Sequence, residues 1–208
     1  AMDGGLEKVE NFYYMSLNYC CMEVFLADTT GKVNLLSGSQ PQLDGLKLSE
    51  NGKKAAYLDT DANTGDTILV EIELGKEKAE TVATNVQSFG YIGNTLIYYF
   101  DYTEGVGTLG AAGSKTIIAN ASGVQFTEDA VYYVADADAA TGNGELRAWD
   151  GKTETTIAKD VFAFQYKDNG KLVYIGKYDV NAGVGDLYYY DGKEAHKLDT
   201  GITAIFIY

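Results

Sequence analysis

Similar strand pairs recur about every 35 to 41 residues along this chain, and a repeat of that length restricts the fold to architectures that stack one small unit many times. The stretch "GVQFTEDAVYYVADADAATGNGELRAWDGKTETTIAKD" (123–160) lies over "FAFQYKDNGKLVYIGKYDVNAGVGDLYYYDGKEAHKLDTG" (162–201) with every element in the same order. Each begins with a strand, a tight turn and a tyrosine-rich strand. A longer loop follows, ending in Gly-x-Leu (Gly144-Glu145-Leu146 and Gly185-Asp186-Leu187), and leads to a third strand. That strand closes on Asp-Gly-Lys, where Trp149-Asp150-Gly151-Lys152 matches Tyr190-Asp191-Gly192-Lys193, and a fourth strand completes the unit. Asp-Gly predicts a two-residue hairpin whose two central residues both take φ > 0.

The same four-strand template fits 43–85 and 87–122, and Gly107-Thr108-Leu109 keeps the Gly-x-Leu mark in the latter. Residues 11–39 supply only a second, third and fourth strand, while "ITAIFIY" (202–208) stands where a first strand belongs and has nothing after it. The expectation is an all-β chain, a five-bladed β-propeller of four-stranded antiparallel blades. Its blades are 11–39 with 202–208, 43–85, 87–122, 123–160 and 162–201, and the C-terminal strand completes the N-terminal blade so that no edge is left bare. An open β-sandwich, or part of a larger propeller, shares this signature. Residues 1–10 read as a lead-in, with Met2 behind Ala1 resembling a cloning remnant.

Composition agrees. Of 208 residues, 46% are apolar, enough to bury a sizeable core, and seventeen Tyr, twenty-four Gly and one Pro suit short strands joined by glycine turns. The formal charge of -14 and the scattered basic residues speak against nucleic acid and anionic lipid as partners. No apolar run is long enough to cross a membrane as a helix, and the first residues lack a signal-peptide pattern, so a direct membrane insertion is not expected. Cys20 and Cys21 are adjacent, a spacing that strains a disulfide, and read as buried thiols. The single histidine, His196, cannot complete a tetrahedral zinc site with them unaided.

In its blade phrases, "LYYYDGK" and "LRAWDGK" among them, the chain from Asn11 to Tyr208 resembles bacterial β-propeller proteins of the secreted or cell-surface kind. No WD-repeat, Kelch or Asp-box signature is intact. The resemblance therefore implies architecture alone, and carries over no site residue.

Loops joining second to third strands are long and acidic: 59–66, 101–107, 136–144 and 177–186. Long loops on one rim of a rigid scaffold are where binding groups sit. Asp59, Asp61, Asn63 and Asp66 offer hard oxygens at alternating positions, with Asp136 and Asp138 repeating the start, so Ca²⁺ is the candidate cofactor. The match to a Ca²⁺ loop is partial, since the glycine falls one place late, no Glu stands twelfth and Ala140 replaces an oxygen. Local Asx turns explain the same residues. Tyr102 and Tyr178 are candidate stacking groups for a sugar or a protein partner.

Along the first strands, alternation directs Leu46, Leu48, Phe89, Tyr91, Val124, Phe126, Phe164, Tyr166, Ile205 and Ile207 into packing. It turns Lys47, Gly90, Gln125, Gln165 and Ala204 toward a central channel, where Lys47, Gln125 and Gln165 are candidate ligand contacts. None is a carboxylate, so the channel lacks the acid pair of glycoside hydrolysis. No Gly-x-Ser-x-Gly elbow exists, and "GVGTLGAAG" (105–113) precedes a strand and lacks the lysine of a phosphate loop. The reading is a non-catalytic extracytoplasmic module that binds a protein or glycan through its acidic long-loop face. The alternatives are a hydrolase or lyase using Asp101, Glu104, Asp179 and Asp186, or a sensor or spacer part of a larger surface protein.

Overall fold

The computed structural model describes residues 11–18, 21–28, 33–37, 42–76 and 79–206. Every regular element among them is a β-strand, all pairings are antiparallel, and no helix occurs among the described residues. The chain divides into two compact units, Ala1–Val86 and Gln87–Tyr208.

The first unit holds two sheets. β1 (Asn11–Asn18), β2 (Cys21–Asp28) and β3 (Val33–Ser37) pair in chain order. β4 (Gln42–Leu48), β5 (Lys54–Thr60), β6 (Thr67–Glu73) and β7 (Ala79–Thr84) form a four-stranded meander. Its core is Ala55, Tyr57, Val70 and Ile72, with Leu46 and Leu48 packed against it as the alternation requires. Cys20 lies outside the described residues, as does the side chain of Cys21.

The second unit is a single ladder of ten strands in chain order: β8 (Val86–Ile92), β9 (Thr95–Thr103), β10 (Val106–Ala111), β11 (Ile117–Phe126), β12 (Val131–Ala135), β13 (Gly144–Trp149), β14 (Glu154–Asp168), β15 (Lys171–Asp179), β16 (Val184–Tyr190) and β17 (Ala195–Ile202). Two of these strands serve two neighbours in turn. β11 pairs back with β10 through 117–122 and forward with β12 through 121–126. β14 does the same with β13 and β15, changing partner at Val161. The breaks read from the sequence, at 122/123 and 160–162, therefore fall inside continuous strands.

A recurring crank makes this possible. Asn120 and Asp160 each adopt φ of 55°, as Asn85 does before β8, and Gly201 takes 72° in β17. Asn, Asp and Gly are the residues that tolerate this left-handed region. In the first three cases the next residue (Val86, Ala121, Val161) is buried. A second set of left-handed residues, Asp101, Asp136 and Lys177, recurs inside β9, directly after β12 and inside β15. The carbonyl just before the turned residue then approaches the Gly of Gly-x-Leu: a Cβ at Gly107 would lie 2.9 Å from Phe100 O, one at Gly185 2.9 Å from Gly176 O, and one at Gly144 would meet Ala135 O. The Gly-x-Leu mark is thus a steric consequence of the neighbouring strand's kink.

β12 is buried on both faces and feeds two cores. Val131, Tyr133 and Ala135 join Ile97, Tyr99, Leu109 and Trp149, with Val124 and Phe126 packed alongside. Ala130, Tyr132 and Val134 point the other way into Leu146, Val161, Phe164, Leu172 and Tyr174, with Tyr166 against them. Period-two side chains from one strand thereby fasten a sheet layer on each side.

Two expectations change. In the Asp-Gly turns only the glycines have positive φ, 90° at Gly151 and 97° at Gly192. The central residues are Gly-Lys, one place later, because the Asp carboxylate takes the amides two and three residues on: Asp150 Oδ1 accepts from Lys152 N (2.8 Å) and Thr153 N (2.6 Å), and Asp191 Oδ1 from Lys193 N (2.8 Å) and Glu194 N (2.9 Å). The expected closing strand also differs: β17 ends at Ile202, 203–206 join no ladder among the described residues, and Phe206 is 78% exposed. An extended segment is a strand only when a partner takes its main-chain groups. Ile207 and Tyr208 lie outside the described residues.

Candidate functional site

Three of the four acidic hairpin loops share one construction. Asp61 Oδ1 accepts from Asn63 N (2.8 Å) and Thr64 N (3.1 Å), and Gly65 N returns to Asp61 O (2.8 Å). Asp138 Oδ1 accepts from Ala140 N (3.0 Å), Thr141 N (2.9 Å) and Thr141 Oγ1 (3.1 Å), with Gly142 N on Asp138 O at 2.7 Å. Asp179 repeats the pattern through Asn181 N (2.9 Å), Ala182 N (3.3 Å) and Gly183 N. Each loop is an Asx turn closed by a left-handed glycine. These bonds favour the ionised acid. The amides of Asn63 and then Thr64 hold the Asp61 carboxyl below the usual range, and the Thr141 amide and hydroxyl do so for Asp138.

The candidate metal ligands are thereby dispersed. Asp59 is buried at 2% exposure and receives the Thr60 amide at 2.8 Å, whereas Asn63 and Asp66 are exposed. Asp136 faces Arg147 Nη2 at 3.7 Å, and Arg147 also holds Glu145 (2.7 Å) and Glu154 (2.8 Å). The one group of three His, Cys, Asp or Glu donors that converge within 4.8 Å among the described residues is Asp191, Glu194 and His196.

The channel candidates differ in their surroundings. Lys47 is exposed on β4, opposite Ala56. Gln125 is engaged with main chain at both ends of its amide: Nε2 donates to Phe164 O (3.1 Å) and Oε1 accepts from Tyr166 N (3.0 Å). It ties β11 to β14. Gln165, between those two residues, is exposed. Of the alternative carboxylates, Asp186 sits in β16 rather than a loop and is held by Lys197 Nζ at 2.8 Å, which lowers its pKa. Asp101 and Glu104 are exposed with φ of 51°, and Asp179 builds its own turn.

The stacking candidates are better placed. Tyr102 is 48% exposed, its ring edge-on to Tyr99 at 5.8 Å. Tyr178 lies flat against Phe162, with centroids 3.9 Å apart and planes 8° from parallel. Phe162 was not a candidate from the sequence, because alternation after Val161 only turns it outward; it is 36% exposed. Asn143, from the preceding long loop, fixes this pair by donating Nδ2 to Tyr178 O (2.9 Å) and accepting Tyr178 N (3.1 Å) on Oδ1. Gly142 passes over the Phe162 ring so closely that a Cβ would sit 3.0 Å from it. Two long loops and an aromatic pair thus form one ledge, with Val180 half-exposed in the adjoining turn.

No family model and no curated protein matches the chain. Solved structures do. The β-propeller domain of the trilobed protease from Pyrococcus furiosus, described as having an open velcro topology, superposes with a TM-score of 0.55 at 13% identity, covering 92% of this chain and 68% of that one. An acylaminoacyl peptidase bound to a Gly-Gly-Phe chloromethyl ketone gives 0.52 at 12% identity, over 89% of this chain and 37% of that one. The acylaminoacyl peptidase of Pyrococcus horikoshii gives 0.51 at 15%, over 91% and 38%. The chain spans between about a third and two thirds of these structures, and what they share with it is the fold: an all-β chain of β-propeller architecture.

Proposed function

We propose that this chain is a non-catalytic binding module that takes a glycan or protein ligand on its long-loop rim. The observation that carries the reading is the partly exposed Phe162–Tyr178 pair, stacked at 3.9 Å and locked by Asn143 between two acidic loops. A flat, preorganised aromatic surface offers apolar area at little entropic cost, and carboxylates around it supply hydrogen-bond acceptors for hydroxyls or amides. The ring of repeats is read as five blades. β4–β7 is one, the ladder β8–β17 supplies three more divided at Asn120 and Asp160, and the three strands β1–β3 begin a fifth. Metal binding by the Asx loops is a weaker proposal, since their carboxylates already serve main-chain amides.

The test is a glycan array and a displayed-peptide library probed with the wild-type chain and with a Phe162→Ser/Tyr178→Ser double variant. Ligands held by the wild type and lost by the variant, with the thermal midpoint of both within a few degrees, support the ledge. Binding that survives the double substitution, or no ligand from either library, overturns it.

A further inference from the structure

We propose that Asp191, Glu194 and His196 form a transition-metal site on the β16–β17 hairpin. His196 Nε2 lies 3.3 Å from Asp191 Oδ2 and 3.8 Å from Glu194 Oε1, and the three donors all fall within 4.8 Å of one another. An ion bound tetrahedrally at about 2.1 Å needs donors roughly 3.4 Å apart. The two separations from His196, 3.3 and 3.8 Å, lie near that spacing, and the third is within 4.8 Å.

The previous repeat shows that two of the donors have no duty in building the turn. There Asp150 accepts the amides of Lys152 and Thr153, Asp150 N donates to Thr153 O at 3.3 Å, and Gly151 takes a φ of 90°. In the last repeat Asp191, Lys193, Glu194 and Gly192 do the same, with Asp191 N on Glu194 O at 3.2 Å and a φ of 97°. The positions of Glu194 and His196 hold Thr153 and Thr155 in the earlier copy. One scaffold therefore occurs twice, once with neutral threonines and once with a carboxylate and an imidazole. Asp191 uses Oδ1 for the turn, which leaves Oδ2 directed at His196.

One imidazole nitrogen with two carboxylate oxygens is a borderline donor set that selects Zn²⁺, Co²⁺, Ni²⁺ or Cu²⁺ over Ca²⁺ and Mg²⁺. Three protein donors leave a coordination position for water or for a donor atom of a second molecule. His196 is 47% exposed, so that position opens to solvent. The site is independent of the aromatic ledge.

The chain has one histidine, so its imidazole resonances report this site alone. The experiment titrates Zn²⁺ into the full chain with Cys20 and Cys21 alkylated, followed by calorimetry and by the ¹⁵N resonances of the His196 ring. One ion per chain, a shift of Nε2, and at least a tenfold loss of affinity in Glu194→Gln and in His196→Ala are expected, since even outer partners of metal ligands are worth about 10- to 100-fold. Glu194→Thr/His196→Thr, which copies the earlier repeat, removes binding and leaves the metal-free melting curve in place. Absence of heat and of ring shifts at millimolar Zn²⁺, or affinity retained in the double threonine variant, overturns the assignment.

Discussion

Replacing Gln125 with Ala removes both bonds of a single amide, the donation to Phe164 O and the acceptance of Tyr166 N, and leaves two main-chain groups of β14 without their partner. A net hydrogen bond is worth about 0.5 to 1.5 kcal/mol, and an orphaned buried group costs about 1 to 3 kcal/mol. The bonds are only partly buried, so water recovers part of the loss and about 2 to 3 kcal/mol is expected for the pair. At about 2 to 4 °C per kcal/mol for a chain of this size, the midpoint falls by roughly 4 to 12 °C. Trp149 is the one tryptophan and is 1% exposed in the core of the second unit, so its fluorescence follows that unit directly. Gln165→Ala, at the equivalent position but exposed, should move the midpoint little, by about 0.5 kcal/mol or less. Gln125→Glu separates the two bonds, because an ionised carboxylate still accepts Tyr166 N and repels Phe164 O. Its protonated form donates again, so the folded pKa of that Glu is raised. The rescue is complete below the ordinary carboxylate pKa and disappears as pH rises through the folded value, so the deficit against wild type narrows on acidification. A Gln125→Ala midpoint within 1 °C of wild type, or a Gln165→Ala loss of equal size, refutes the clamp.

Two further outcomes follow from the loops and kinks. Gly144→Ala forces a Cβ onto Ala135 O and within 2.7 Å of Val134 Cγ1 and 3.0 Å of Ala137 Cα, two of them main-chain atoms, and should cost about 1 to 3 kcal/mol in urea unfolding; an unchanged midpoint would mean that β12 yields. Asp61, Asp138 and Asp150 are held below the usual carboxylate range by main-chain amides. Their contribution is whole above about pH 4 and fades as pH falls through the depressed folded values, so Asp150→Asn should flatten the acid limb of the stability curve, read as midpoint against pH.

Much of the fold was legible because strand alternation and glycine turns are local signals. The pairing of Tyr190-Asp191-Gly192-Lys193 with Trp149-Asp150-Gly151-Lys152 marked real hairpins, and the Gly-x-Leu mark fell where a facing carbonyl excludes a side chain. The turn register differs by one residue because Asp-Gly propensity ignores what the carboxylate does with the amides two and three residues on. For Gln125, parity gives the side chain's direction but not its bonds to the main chain of a neighbouring strand. The sequence led to Tyr178 and missed Phe162 and Asn143, since stacking between residues sixteen apart and a bond spanning 35 depend on the crank at Asp160. The His196 cluster is not legible from residue types alone, because two of its three donors are carboxylates of the kind that fill every hairpin of this acidic chain.

The two shared strands set where this chain can be cut and rejoined. A blade boundary normally invites recombination, because a linker there can be severed without breaking a sheet. Here the boundaries run through β11 and β14, whose residues near Asn120 and Val161 are paired on both sides. Shuffling or circular permutation at those points would open two ladders at once. New termini belong instead in the Asx hairpins, where the chain is exposed and each turn is held by its own aspartate.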